Sequence, residues 1–544
     1  MKTLINNFKK NIFKRCPKSG RIVGIRFDNI YAKVAFPVVG ILAIAWFLIR
    51  VVPKPSRAAY PCQQAAMGIG GSFITYLIAL TASFGIFTKL KKNKPALAYL
   101  SVFLFIIVGA SVILYAISPN PPNYKPILTN SDGINNPMGV ARGIFPGRVV
   151  WVRDTASTSW DGTNGFWWDD NNTNQQSIDK MFTNAIEKIS GKNTAKSAWD
   201  KLFRYRNSLN GKNQGYKHGE KIVIKVNLNP VEKPDDFWSD KGYPSPHMFN
   251  SLIKELIEVV GVKGEDIIIA DPSRYIVGPL YYKIRSNTSA EYQKISFIGK
   301  SAKPMPQQSL AVPDTTNLVW FNMPDGKKHR LAFAQCYSDA SYIINYGVVR
   351  AHRVFAITCA GKNNFGAVWD FDKKTFTPSS LHAYAMWDYP TPNKYKQAHS
   401  SPVMLGHKTV YTKTILYLAD GLYPAYNQTQ ANVQRMSTMN NDWLSSLFVS
   451  LDPVALESVC YDLICSEPNL TRNNPSFNGE QDNQFQECAL ANNPPSGNKY
   501  DPENDGTGLP SLGVHEHWNN SKDMQYSRNM GKKQGIELLR IEDK

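Results

Sequence analysis

Three apolar runs dominate the front of the chain, at 34–52, 65–87 and 95–117, and Arg50 is the single charge inside them. At 1.5 Å per residue each is long enough to cross a hydrocarbon core of about 30 Å, which predicts three transmembrane helices over 34–118. After a stretch rich in Pro, Asn and Gly (119–146), which reads as a linker, the pattern changes. Short apolar runs now alternate with helical stripes. Residues 148–153 read as a strand. In 177–189, Ile178, Met181, Phe182, Ala185 and Ile189 share one helical face, and 195–205 carries Trp199, Leu202 and Phe203 on a second short helix.

The clearest unit follows. Residues 221–227 form an apolar strand; Ser245 and Pro246 supply an N-cap and a first-turn proline. Met248, Phe249, Leu252, Ile253, Leu256, Ile257 and Val260 then repeat with helical spacing up to Gly261, a C-terminal stop. Residues 266–271 form the next strand, so strand, helix and strand imply a parallel crossover. Further strands are expected at 294–298, 318–321, 342–349 and 415–418, and Asp452-Pro453 opens a helix to about 464. The fold class expected is α/β, a largely parallel sheet flanked by helices and preceded by three transmembrane α-helices. The boundaries are a basic head (1–33), the anchor (34–118), the linker (119–146), the α/β domain (147–470) and a loop-rich extension packing on it (471–544).

Charge alters this picture at one end. The chain carries 62 Lys and Arg against 43 Asp and Glu, a formal charge of +19, yet the first hundred residues hold sixteen of those bases and one acid, Asp28. A nucleic-acid binder would carry its excess on the folded domain, so nucleic acid is excluded as a partner. Bases cluster before the first run and between the second and third, which by the positive-inside rule predicts an integral membrane protein. Its N-terminus would be cytoplasmic and its large domain extracytoplasmic, periplasmic where a cell has two membranes. The bilayer is then one partner, and a small-molecule ligand or a cell-envelope component another. An intramembrane transport path is not expected, because the only ionisable residue in the three runs is Arg50, near the end of the first. Cys465 and Cys488 are spaced to pair; buried free thiols fit equally well. Without a clustered Cys motif no iron–sulfur centre is expected, and other cofactors are left open.

Candidate chemistry concentrates in 342–370. A strand there ends in Arg350-Ala-His352, and the polar turn Gly361-Lys-Asn-Asn-Phe-Gly366 follows. Ligands of open α/β sheets bind outside the carboxyl ends of strands. His352 is expected to serve in acid–base chemistry or as a metal ligand, and Lys362 as an anion clamp, with Asp420 as a third catalytic candidate. Asn227, Asp271, Arg350, Asn363 and Asn364 are the expected ligand-binding residues. Turn or cap roles are the alternative for each: Asp420-Gly421 starts a turn, and Asp452 caps a helix. His515 and His517 present two imidazoles on one side of an extended segment, a candidate half of a metal site. Asp501 to Gly506 resembles the opening of a calcium loop without its distal Glu. Trp160, Trp167, Trp168, Trp199 and Trp238 suggest either a stacking platform or core packing.

These motifs resemble the domain of unknown function 362 family, whose pattern has a strand-end Lys/Arg-x-His and then a Lys-Asn-x-x-Gly turn. Arg350-Ala-His352 and Lys362-Asn363-Asn364-Phe365-Gly366 fit both. Lys225-Val-Asn227, Leu418-Ala-Asp420-Gly421 and Ser450-Leu-Asp452-Pro453-Val-Ala455 fit further elements in order, over roughly 147–465. The resemblance implies an α/β fold, a more distant similarity to the nickel-pincer lactate racemases, and no particular reaction. Iron–sulfur electron transfer, known in some members, does not carry over. The expected function is binding of a small anionic or carbonyl-containing ligand at the sheet's carboxyl edge, with acid–base chemistry. The alternative is a non-catalytic cell-envelope binding or scaffold module.

Overall fold

The computed structural model describes residues 133–543 except 234–237, 239, 302–307, 323–327, 353–354, 377–380, 382–399, 429–431 and 472–482; before them it describes 13–15, 22–25 and 45–46. The chain divides into two units, 1–124 and 125–544. In the first, Phe13–Arg15 and Ile22–Ile25 pair antiparallel within the basic head. Among the described residues no helix is long and apolar enough to cross a membrane. This overturns the three-helix anchor and the integral-membrane location built on it. The three apolar runs lie outside the described residues, apart from Ala45 and Trp46. Apolar composition meets only half of the requirement, because spanning also needs about 20 residues in one helix that satisfies its own backbone.

The second unit begins with β1 (Arg148–Asp154), α1 (Gln175–Ser190) and α2 (Ala195–Leu209). Asn174 caps α1 by accepting from the Gln176 and Ser177 amides, and Gly191 ends it at φ 71°. Then come β2 (Ile222–Val226), α3 (Pro246–Lys254) and β3 (Ile267–Asp271). Ser245 caps α3 as expected, but the helix widens into a π-helical turn over Glu255–Val260 before Gly261 stops it. Next are α4 (Gly278–Arg285), β4 (Ser296–Gly299), β5 (Gln308–Leu310), β6 (Pro313–Asn322), β7 (Lys328–Ala334), β8 (Tyr342–His352) and β9 (Ala356–Ile357). The short helix α5 (Ala360–Asn363) leads to β10 (Val368–Asp370), β11 (Thr414–Ala425), β12 (Ser446–Ser450) and α6 (Pro453–Cys465). The chain closes with β13 (Val514–His515) and β14 (Glu537–Asp543).

Ten strands form one mixed sheet in the order β14-β1-β12-β11-β8-β2-β3-β4-β5, with β9 pairing β8 off this path. From β11 to β5 all neighbours are parallel. β12 is antiparallel to both β11 and β1, while β14 runs parallel to β1. Alternation along the strands separates two cores. Ile222, Ile224 and Val226 join Phe182, Trp199, Phe203 and Leu252 of α1, α2 and α3 on one face. Val223 joins Leu456, Val459 and Leu463 of α6 on the other, where β6, β7 and β10 form a separate three-stranded sheet. Central strands covered on both faces read as unbroken apolar runs, so a charged residue inside one is conspicuous.

Candidate functional site

Lys225 is such a residue. One position before the end of β2 and two after Val223, it projects to the α6 face, and Asn227 follows it there. Lys225 Nζ donates to Val226 O at 2.7 Å and Asn363 Oδ1 at 3.1 Å, and pairs with Asp271 Oδ2 at 3.2 Å from the end of β3. Asp271 also accepts from the Leu228 amide at 2.9 Å and from Ser273 Oγ at 2.9 Å. Asn363 is the hub. Its Nδ2 donates to Lys225 O and Asn345 Oδ1, both at 2.9 Å, and its Oδ1 also accepts from Asn227 Nδ2 at 3.2 Å. Asn345 donates to Asn364 Oδ1 at 3.2 Å, and Arg350 NH2 to Asn227 Oδ1 at 2.5 Å. The turn sits this close because Gly366 has no side chain: a Cβ there would meet Ser273 Oγ at 2.6 Å and Asp271 Oδ1 at 2.8 Å. All five residues expected to bind ligand, Asn227, Asp271, Arg350, Asn363 and Asn364, thus lie in one buried network.

The network is positively charged. Lys225, Arg274, Arg350 and Lys362 face one buried carboxylate, Asp271; Glu232, 3.8 Å from Arg274, is half exposed. Arg274 is occupied by Asn229 O at 2.9 Å and Asn229 Oδ1 at 2.6 Å. Arg350 donates through NH1 to Gly242 O at 2.7 Å, but its buried Nε has no hydrogen-bond partner among the described residues. Nor has Thr358 Oγ1, whose backbone amide donates to Arg350 O. Lys362, in α5, is 8% exposed; among the described residues its amine makes no hydrogen bond and lies over the rings of Phe365 at 4.5 Å and Phe355 at 5.5 Å. Burial, then Arg274, Arg350 and Lys225, hold it well below the usual lysine range. Burial likewise pushes Arg350 down to about 9.

The remaining expected residues stand elsewhere. His352 is buried, its Nδ1 accepting from the Phe355 amide at 3.1 Å, and its ring packs on Phe355, the same ring that meets Lys362. Asp420 accepts from the Ser245 amide at 2.7 Å, the Leu422 amide at 3.0 Å and Tyr346 OH at 3.2 Å, tying α3 to β11, and burial raises it to about 6. Asp452 caps α6 through the Val454 and Ala455 amides. His515 and His517 stand side by side, 4.8 Å between ring centroids. Their Nδ1 atoms lie 2.8 Å from Ser458 Oγ and 2.6 Å from Asp462 Oδ1, one turn apart on α6. Among the described residues the grouping with metal-ligand spacing is His329, Asp370 and Asp372, which includes neither histidine. Asp501 and Asp505 accept amides of their own loop. Trp167 and Trp199 are core residues, whereas Trp168 and Trp238 lie 6.0 Å apart nearer the surface. Cys465 and Cys488 form no disulfide; both are buried, as are Cys336, Cys359 and Cys460, none of which is disulfide-bonded.

Asn345, Ser273 and Glu457 were not singled out, and Lys225 stood only within a motif, without a site role. The signal for Lys225 and Asn345 is a polar residue inside an Ile/Val/Tyr strand. Glu457 lies in the fully buried α6, accepts from the Gly361 amide at 2.8 Å, and leaves Oε2 buried without a partner among the described residues. Burial raises it to about 7. Between the usual carboxyl value and that point, the folded chain holds a proton the unfolded chain has lost. Stability therefore falls as pH rises, by about 1.4 kcal/mol per pH unit for this one group. Glu457→Gln is expected to flatten the dependence of the urea midpoint on pH and to exceed the native chain in stability above about pH 7. The shares of Asp420 and Asp452, both near 6, would remain. An unchanged slope would contradict the assignment.

The family model described as Domain of unknown function (DUF362) matches residues 222–462, from the start of β2 into α6, and supports the family resemblance carried by the motifs. No curated protein and no solved structure matches the chain, so the more distant likeness to lactate racemases has no counterpart there.

Proposed function

We propose that the protein, through the region matched by that family model, binds a small anion at the carboxyl edge of its parallel strands. Arg350 and Lys362 meet the anion, and Asn227, Asn363 and Asn364 set its surroundings. The supporting observation is Lys362, a residue only 8% exposed whose amine makes no hydrogen bond among the described residues, beside three further cations and one buried carboxylate. Unpaired buried charge is unfavourable by several kcal/mol, and strongly perturbed groups collect at functional sites. A bound anion would supply the counter-charge that the cluster lacks and would occupy the open donors at Arg350 Nε and Thr358 Oγ1. The position agrees with the ligand-binding edge of open α/β sheets. His352 acts by holding Phe355 against Lys362.

Thermal unfolding with inorganic phosphate and with small carboxylates tests this. A ligand at 100 times its dissociation constant is expected to add about 2.7 kcal/mol to the native chain and nothing to Lys362→Met. If none of these anions raises the unfolding midpoint, the site does not bind anions.

A further inference from the structure

Lys362 differs from its neighbours in having no hydrogen-bond acceptor among the described residues. Lys225 donates to Val226 O and Asn363, Arg274 to Asn229 and Ser273, and Arg350 to Gly242 O and Asn227. The Lys362 amine instead faces two aromatic rings. An exposed lysine is protonated and a poor nucleophile. An amine withdrawn from water and set beside other cations keeps its lone pair free. The direction in which burial and the three neighbouring cations move this amine agrees with that placement.

We propose that Lys362 forms an imine with a carbonyl ligand, a 2-oxo acid whose carboxylate rests among Arg350 and the neighbouring cations; this deepens the anion-site reading and depends on it. The Lys362 nitrogen adds to the carbonyl carbon, and the carbonyl π pair moves to oxygen. The two N–H protons leave with that oxygen as water, and a C=N bond remains. No oxidant or reductant takes part, and water reverses the step. The carboxylate next to the carbonyl supplies the negative charge that the cluster lacks, so one ligand satisfies both features.

Pyruvate with sodium borohydride, added to the full chain and followed by peptide mass mapping, tests this. The expected result is a reduced adduct on the Lys362 peptide, favoured about tenfold or more over an exposed lysine such as Lys201. Inorganic phosphate should diminish it, and Lys362→Arg, which keeps the charge, should lack it. Labelling spread evenly over exposed lysines would overturn the imine. If pyruvate and propionate both stabilise the chain while borohydride leaves Lys362 unmodified, the imine is overturned and the anion site stands. If neither they nor phosphate shifts the midpoint, both readings are overturned.

Discussion

Asp271→Ala is expected to lower the stability of the ligand-free protein by about 3–5 kcal/mol, the usual result of removing one partner from a buried ion pair. That is a large share of the roughly 5–15 kcal/mol that holds a typical domain together. Asp271 is 2% exposed, and its two oxygens serve the Lys225 ammonium, the Leu228 amide and the Ser273 hydroxyl. Without it four cations would share the edge of the sheet with no buried counter-charge. Two companions separate charge from packing. Asp271→Asn keeps the shape and removes the charge, so saturating phosphate should restore part of its loss. Lys225→Met added to Asp271→Ala removes the stranded cation and should recover stability, because losing both partners is far milder than losing one. Urea unfolding of the four proteins checks this. Equal losses for Asp271→Ala and the double variant would mean that hydrogen bonding, not charge, dominates at Asp271.

Lys362→Met is expected to move the other way. Nothing among the described residues receives a hydrogen bond from this amine, and its nearest rings are apolar. Replacing it by an apolar side chain of similar length should leave the ligand-free chain as stable as before or more so, by up to about 4 kcal/mol. The same variant should lose all stabilisation by anions. Gain without ligand and loss with it mark a residue kept for binding rather than for the fold. A variant destabilised in both conditions would make Lys362 a structural residue.

The architecture was legible where backbone chemistry is local. Ser245, Pro246 and Gly261 bound a helix between two apolar strands, and Asp452-Pro453 opened another. The π-helical turn at Glu255–Val260 was not legible, because its apolar positions keep a helical stripe whatever the pitch. Nor was the antiparallel insertion of β12 between β1 and β11, since strand order is a tertiary property. The final strand, Glu537–Asp543, was also missed: four of its seven residues are charged, Arg540 at its centre, and it lies at an edge of the sheet.

The site divides in the same way. Strand ends and the polar turn could be found from residue type and spacing, and the five amide, Asp and Arg candidates do converge. Their charge balance could not be found. It depends on Lys225 and Arg274 arriving from different strand ends, and on Asp420 turning instead to Ser245. The membrane expectation failed for a related reason. Hydropathy along 34–117 records the solvent preference of side chains, and the length and continuity of a helix are separate facts.

The most direct test is an NMR titration of the Lys362 side chain, assigned by comparison with Lys362→Arg, with and without inorganic phosphate. Without phosphate the amine should titrate well below the usual lysine range, and with phosphate its titration should move upward. An amine that titrates like an exposed lysine, or that ignores phosphate, would contradict a buried cation cluster built to receive an anion.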